Sequence, residues 1–168
     1  MTLGELNARD HRGFVLALER IFEHSPWVAE AAWPRRPFES FEALYRALVD
    51  AMRGAGPDAQ LELIRAHPEL SGKAAPADAL TIDSRAEQAG AGLDRCTPEE
   101  LGRLRDLNQA YRTRFGFPFV IAVRGLDRAA ILERLAARLE RDRATELEEA
   151  LQQIERIAWF RLQAIIEP

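Results

Sequence analysis

Gly116-Phe117-Pro118-Phe119-Val120-Ile121-Ala122-Val123 is the one stretch of this chain that reads as a β-strand. A continuous apolar run rich in β-branched and aromatic residues fits a buried strand, but a strand needs a neighbour to take its backbone hydrogen bonds. The sequence holds no second run of this kind. The segment is therefore expected to be extended and buried without belonging to a sheet. The fold class follows: all-α, an irregular bundle of roughly eight or nine helices.

On both sides of that run the pattern is helical. Upstream, Thr97-Pro98-Glu99-Glu100 is the clearest helix start in the chain: a cap, a proline, then acids in the first turn. Leu101, Leu104, Asn108, Tyr111 and Phe115 then share one face. Downstream, Asp127 opens a helix through Ile131, Leu132, Leu135 and Leu139, and Thr145 opens the last and longest one. Nearer the N-terminus, Thr2 and Glu5 have capping-box spacing. From Asp10, Phe14, Leu18, Ile21 and Phe22 recur at helical spacing. Ser25-Pro26 reads as a cap with proline in the first turn, opening a helix through Trp27, Val28 and Ala31 that Pro34 and Pro37 end. Ser40 opens a helix with the stripe Phe41, Leu44, Leu48, Val49 and Met52, broken between Gly54 and Pro57. Asp58 caps the next, through Leu61, Ile64 and Arg65. Residues 71–83, with Gly72 and Pro76, read as a surface loop holding at most one helical turn. Ser84 and Glu87 again fit a capping box, and Gly90 and Gly92 mark the end of that short helix.

Length and composition bound the functional class. At 168 residues the chain is expected to form a single domain, 1–168, with a proper core. Hydrophobic residues make up 47% and charged residues 30%, with a net charge of -4 and both signs interspersed. That mixture argues against a nucleic-acid surface, which needs a clustered basic stripe. No apolar run approaches a membrane span, and the first residues lack a signal-peptide pattern. The single Cys96 excludes an internal disulfide and points to a reducing compartment. The closing Ile165-Ile166-Glu167-Pro168 is not a Ser-Lys-Leu address, so a cytoplasmic location is expected.

Few residues carry chemistry on their own pattern. His67 precedes Pro68, and proline disfavours the α conformation in the residue before it, so His67 is pushed out of the preceding helix. It can cap the last carbonyls there or serve a site. Glu87 can complete a capping box with Ser84, or with Gln88 accept from ligand N–H groups at a helix start. Arg161 falls on the apolar stripe Leu147, Leu151, Ile154, Ala158, Arg161, Ile165. Its charge cannot be discharged, so it either reaches the bundle edge or clamps an anion, a ligand carboxylate or Glu87. Asn108 reads as a satisfied core amide, Phe117-Pro118-Phe119 as core, and Cys96 as structural. His11 and His24 read as surface residues. No His/Cys spacing offers a metal site, and no phosphate loop or nucleophile elbow occurs.

Taken in order, these pieces resemble a known family. They are Ser25-Pro26-Trp27-Val28, His67-Pro68-Glu69-Leu70, Ser84 with Glu87-Gln88 and Ala91-Gly92-Leu93, Asn108, Tyr111, Phe115 to Ile121, and Ile157-Ala158 with Arg161-Leu162. The chain is similar over nearly its whole length to 2-oxo-4-hydroxy-4-carboxy-5-ureidoimidazoline (OHCU) decarboxylases. The resemblance implies an all-helical, cofactor-free homodimer without metal that converts OHCU to (S)-allantoin in urate breakdown. It implies His67 as the catalytic histidine, with Glu87 and Arg161 also catalytic. It places substrate contacts on Pro68, on Ser84, Arg85, Ala86, Glu87 and Gln88, and on Phe119, Val120, Ile121, Ala122 and Val123. The family's usual Asp after His-Pro is Glu69 here, and its common Asn before the last helix is missing from Asp142-Arg143-Ala144-Thr145.

On that reading His67 donates the proton, since an imidazole titrates near neutrality. Glu87 orients the ring or the imidazole, Gln88 reads the ureido amide, and Arg161 steers negative charge. Backbone amides of residues 119–123 bond the ring. Two rival classes remain: a non-enzymatic helical interaction module, and a hydrolase acting on a related ureide.

Overall fold

The computed structural model describes residues 1–71 and 80–167. Most of the expected loop at 71–83, with Gly72 and Pro76, lies outside them. Among the described residues there are nine α-helices, two 3-10 turns and no strand, which bears out the all-α expectation.

The chain divides into two compact units, Met1–Ala66 with Ile154–Pro168, and His67–Gln153. The first unit begins with α1 (Leu3–Asn7), α2 (His11–Leu18), α3 (Trp27–Ala32), α4 (Phe41–Gly54) and α5 (Pro57–Arg65). Thr2 and Glu5 form the predicted capping box, and Asp10 and Ser40 accept from the third residue of α2 and α4. Leu6, Phe14, Val28, Leu44, Met52 and Ile64 are fully buried. Phe41 and Tyr45 of α4 both meet Trp159 edge-on, at centroid distances of 4.8 Å.

The second unit holds α6 (Ile82–Gly90), α7 (Pro98–Phe115) and α8 (Arg128–Arg138). The last helix, α9 (Arg143–Ile165), supplies its first part to this unit and the remainder to the first. Thr97 caps α7 and Asp127 caps α8 as the sequence predicts, and Glu100 completes a capping box with Thr97. Gly116 closes α7 at φ 78, a left-handed conformation that glycine adopts without Cβ strain. The chain then runs extended through Val123 with Phe117, Phe119 and the residues to Val123 buried.

Four predicted helix starts are displaced, each because another residue holds the cap. Pro26 already has helical angles before α3, and the Ser25 hydroxyl donates to the Glu23 carbonyl instead of capping. Gly56, at φ 86, caps α5; Pro57 takes the first helical position, where its missing N–H costs nothing, so Asp58 is a first-turn acid. Thr81 accepts from the Ser84 amide at 3.3 Å, so α6 starts at Ile82 and Ser84 lies inside it. Asp142 accepts from the Thr145 amide at 3.0 Å and from its hydroxyl at 2.6 Å, so Thr145 is the capped partner rather than the cap.

Candidate functional site

In the second unit, the site residues predicted from sequence lie on three segments, and helical side chains hold two of them as irregular backbone. The first begins where α5 ends. The Ala66 amide closes the helix on the Glu62 carbonyl at 2.9 Å, and His67 follows outside it, as Pro68 dictates. His67 is 6% exposed and Leu70 equally so. Buried backbone outside regular structure still needs hydrogen-bond partners. Gln88 of α6 supplies two: its Nε2 donates to the Glu69 carbonyl at 3.1 Å, and its Oε1 accepts from the Ser71 amide at 3.1 Å. Asn108 of α7 supplies the third, donating from Nδ2 to the Leu70 carbonyl at 2.7 Å. Arg112 Nε donates to the Glu69 carboxylate at 2.8 Å. Glu69, where the family usually has Asp, thus reaches a specific cation.

The second segment is α6 itself. At about 100° per residue, Ser84, Glu87, Gln88 and Ala91 share one face. Ser84 and Gln88 are buried and Glu87 is half-buried, whereas Arg85 and Ala86 turn to exposed positions. Because Thr81 is the cap, the face carrying Glu87 and Gln88 belongs to the body of the helix. Glu87 is therefore not the back-bonding member of a capping box with Ser84.

The third is the extended run of residues 119–123. Arg138 Nη1 donates to the Val120 carbonyl at 2.8 Å, and Gln153 Oε1 accepts from the Ala122 amide at 3.0 Å. Arg138 also donates from Nε to Glu146 Oε2 at 2.8 Å, and its guanidinium lies 4.5 Å from the Phe119 ring centroid. The Tyr111 hydroxyl donates to the same Glu146 oxygen. Burial, then the bond to Glu146, pushes the Tyr111 phenol well above its ordinary pKa, so it stays a donor. The Ala122 amide is already committed to Gln153, so it is not among the backbone donors left for a ligand.

Arg161 lies in the first unit, 8% exposed on its helix. Its Nη1 donates to Glu23 Oε2 at 2.7 Å and to the Arg20 carbonyl at 3.2 Å. The stripe argument found a buried cation, and Glu23 is a carboxylate partner that the sequence reading had not named.

The remaining candidates stand apart. His11 and His24 are exposed, with His11 edge-on to Trp33 at 5.2 Å. Burial, then the Glu100 charge, raises the Cys96 thiol, which keeps it protonated and poorly nucleophilic. Among the described residues no group of three His, Cys, Asp or Glu side chains could hold a metal ion.

Arg138, Glu146, Gln153 and Glu23 escaped the sequence reading. Arg138 could have been found by the argument applied to Arg161: Ile131, Leu135 and Arg138 are spaced four and three apart. Glu146, Ala150, Gln153 and Ile157 repeat that spacing on α9, so two polar residues sit on a buried stripe.

A buried histidine on a side-chain-braced loop and a half-buried carboxylate on α6 are groups suited to acid–base work on a small polar molecule. Comparison with known proteins defines the class further. The family model for OHCU decarboxylase matches residues 7–163. The chain is 42% identical over 165 residues to the uric acid degradation bifunctional protein of Bacillus sp. (strain TB-90), covering 98% of this chain and 32% of that protein. It is 37% identical over 168 residues to the 2-oxo-4-hydroxy-4-carboxy-5-ureidoimidazoline decarboxylase of Halalkalicoccus jeotgali, covering 100% of this chain and 93% of the relative. A crystal structure of (S)-allantoin synthase superposes with a TM-score of 0.81 at 30% identity, over 99% of this chain and 54% of that one. The chain thus spans about a third of the bifunctional relative but nearly all of the Halalkalicoccus one. It belongs to the OHCU decarboxylase family.

Proposed function

We propose that this chain is a cofactor-free carboxy-lyase that converts OHCU to (S)-allantoin in urate breakdown. The observation that carries the reading is the family match across residues 7–163, together with a buried His67 delivered by a helix end into a braced loop. The substrate carries its carboxylate and hydroxyl on one ring carbon and its ureido group on the next. When the bond to the carboxylate breaks, carbon dioxide leaves and the electron pair spreads into the neighbouring C=N of the heterocycle. The ring nitrogen that receives the pair takes up a proton, the hydroxyl gives one up as its carbon becomes a carbonyl, and one proton is delivered to the ureido-bearing carbon, so that the net uptake is one proton. Delivery from a single face fixes the hand of the product.

His67 is the proton donor in this scheme, as an imidazole exchanges protons near neutrality. Glu87 orients the ring or the imidazole, and Arg161 steers the substrate's negative charge. Pro68, residues 84–88 and residues 119–123 bound the substrate, with Ser84, Glu87 and Gln88 the members of the α6 set on one face. The phenylalanines of the extended run exclude water, which strengthens every fixed dipole around the reacting atoms. We further infer that the two units act as one domain, since the family match runs through both. A homodimeric, cytoplasmic enzyme is the form in which we expect it. No helix among the described residues is long and apolar enough to cross a membrane.

The test is stereochemical. OHCU is generated in situ from urate, the protein is added, and circular dichroism follows the allantoin formed. Spontaneous decay gives a racemate; this chain is expected to give the (S) hand with faster loss of OHCU. A racemate formed at the spontaneous rate would refute the assignment.

A further inference from the structure

Asn108 and Gln88 hold three consecutive residues of the His67 loop, and their amide orientations are not interchangeable. The Leu70 and Glu69 carbonyls can only accept, so each must face an NH2 group. The Ser71 amide can only donate, so it must face Gln88 Oε1. The hydrogen-bond network therefore fixes both carboxamides by itself. Both residues are buried, Asn108 at 6% exposure and Gln88 at 5%. They come from two different helices, α7 and α6, so the loop is pinned against both.

We infer that Asn108, with Gln88, is a positioning residue for proton delivery: it fixes the 69–71 backbone and thereby the direction in which His67 presents its imidazole. This rests on the reading of His67 as proton donor. A histidine on an irregular loop has no helix or sheet to hold it, and a displacement of about 1 Å costs roughly a hundredfold in rate. The loop next to His67 is held by side-chain amides instead. Asn108 sits two helical turns from the Tyr111–Phe115 end of α7, on the stripe of buried residues Leu104, Asn108, Tyr111 and Phe115. A leucine at this position would have no donor for the Leu70 carbonyl; the amide supplies it.

The experiment compares Asn108→Leu and Asn108→Asp with the parent protein, and runs His67→Ala beside them. Asn108→Asp keeps the side-chain shape but sets a carboxyl oxygen in place of the NH2 against the Leu70 carbonyl, and gives a second reading should the leucine variant not fold. For each folded variant, kcat and KM for in-situ OHCU and the enantiomeric excess of the allantoin are measured well below the thermal midpoint. The expected result is a fall of about tenfold or more in kcat with KM nearly unchanged, and a lowered enantiomeric excess, because the proton donor is misdirected rather than absent. A lowered midpoint with unchanged kcat and full enantiomeric purity in either folded variant would make Asn108 a purely structural residue and overturn the inference. Full turnover by His67→Ala would instead overturn the reading on which it rests, so the two failures are distinguishable.

Discussion

Arg138 and Glu146 form an ion pair at 2.8 Å with side chains 5% and 0% exposed, and the same guanidinium carries the Val120 carbonyl. One guanidinium thus pairs with a buried acid, which Arg141 also reaches at 3.5 Å, and anchors the extended run that the family resemblance assigns to substrate contact. Arg138→Met keeps the bulk but leaves the Glu146 charge and the Val120 carbonyl without this donor. Breaking a buried pair from one side costs about 3–5 kcal/mol. Urea denaturation is expected to show a loss of that order, with Glu146→Gln losing less because the amide still accepts from Tyr111.

The start of α9 gives a pH-dependent prediction. Bonds from the Thr145 hydroxyl, then from its amide, hold the Asp142 carboxyl below its ordinary 3.8. A depressed folded-state value means stability that is fully present above the unfolded value and lost as pH falls through the folded one. The stability of the parent protein relative to Asp142→Asn is therefore expected to fall as pH is lowered through and beneath 3.8. Near neutrality the parent is expected to be the more stable, or equal. Urea midpoints measured across that range check both the direction and the window.

Arg161 and Glu23 are coupled in the first unit at 2.7 Å, both nearly inaccessible to solvent. Arg161→Ala is expected to do two separate things. It removes the ion pair that Glu23 makes with Arg161, and breaking a buried pair from one side lowers the unfolding free energy by about 3–5 kcal/mol. It also removes the charge proposed to steer the substrate, raising KM more than it lowers kcat. Steady-state kinetics on folded protein checks the second effect; an unchanged KM would leave Arg161 as a structural residue only.

Gly116 separates helix geometry from chemistry. A Cβ added there meets nothing within 4 Å, so Gly116→Ala costs only the backbone strain of a left-handed alanine at φ 78. About 1–2 kcal/mol of stability is expected to be lost, with kcat unchanged. A larger loss in thermal denaturation would mean that the turn into Phe117 carries strain of its own.

Much of this architecture is legible from local chemistry. Thr2, Asp10, Ser40, Thr97 and Asp127 cap their helices because their side-chain oxygens meet an amide within the same turn, which sequence spacing shows directly. The extended run at 116–123 is legible for the same kind of reason: it had no second strand to pair with. Where two cap-forming residues compete within three positions, as Thr81 with Ser84 and Asp142 with Thr145, spacing alone does not choose between them. The bracing of the site was least legible. Gln88 reaching Glu69 and Ser71, Asn108 reaching Leu70, and Gln153 reaching Ala122 join residues 17 to 38 positions apart through backbone atoms that leave no mark on the sequence. Polar residues on buried stripes, Asn108 and Arg161 among them, were the visible sign that such partners existed, and Arg138 carried the same sign unread.

The account stands on His67 as the group that hands over the proton. The most direct measurement is the turnover of in-situ OHCU by purified, folded His67→Ala, read as both rate and optical activity of the allantoin. The account predicts no acceleration over spontaneous decay and a racemic product, with a helical circular dichroism spectrum like that of the parent. (S)-Allantoin formed by that variant at the parent's rate would contradict it.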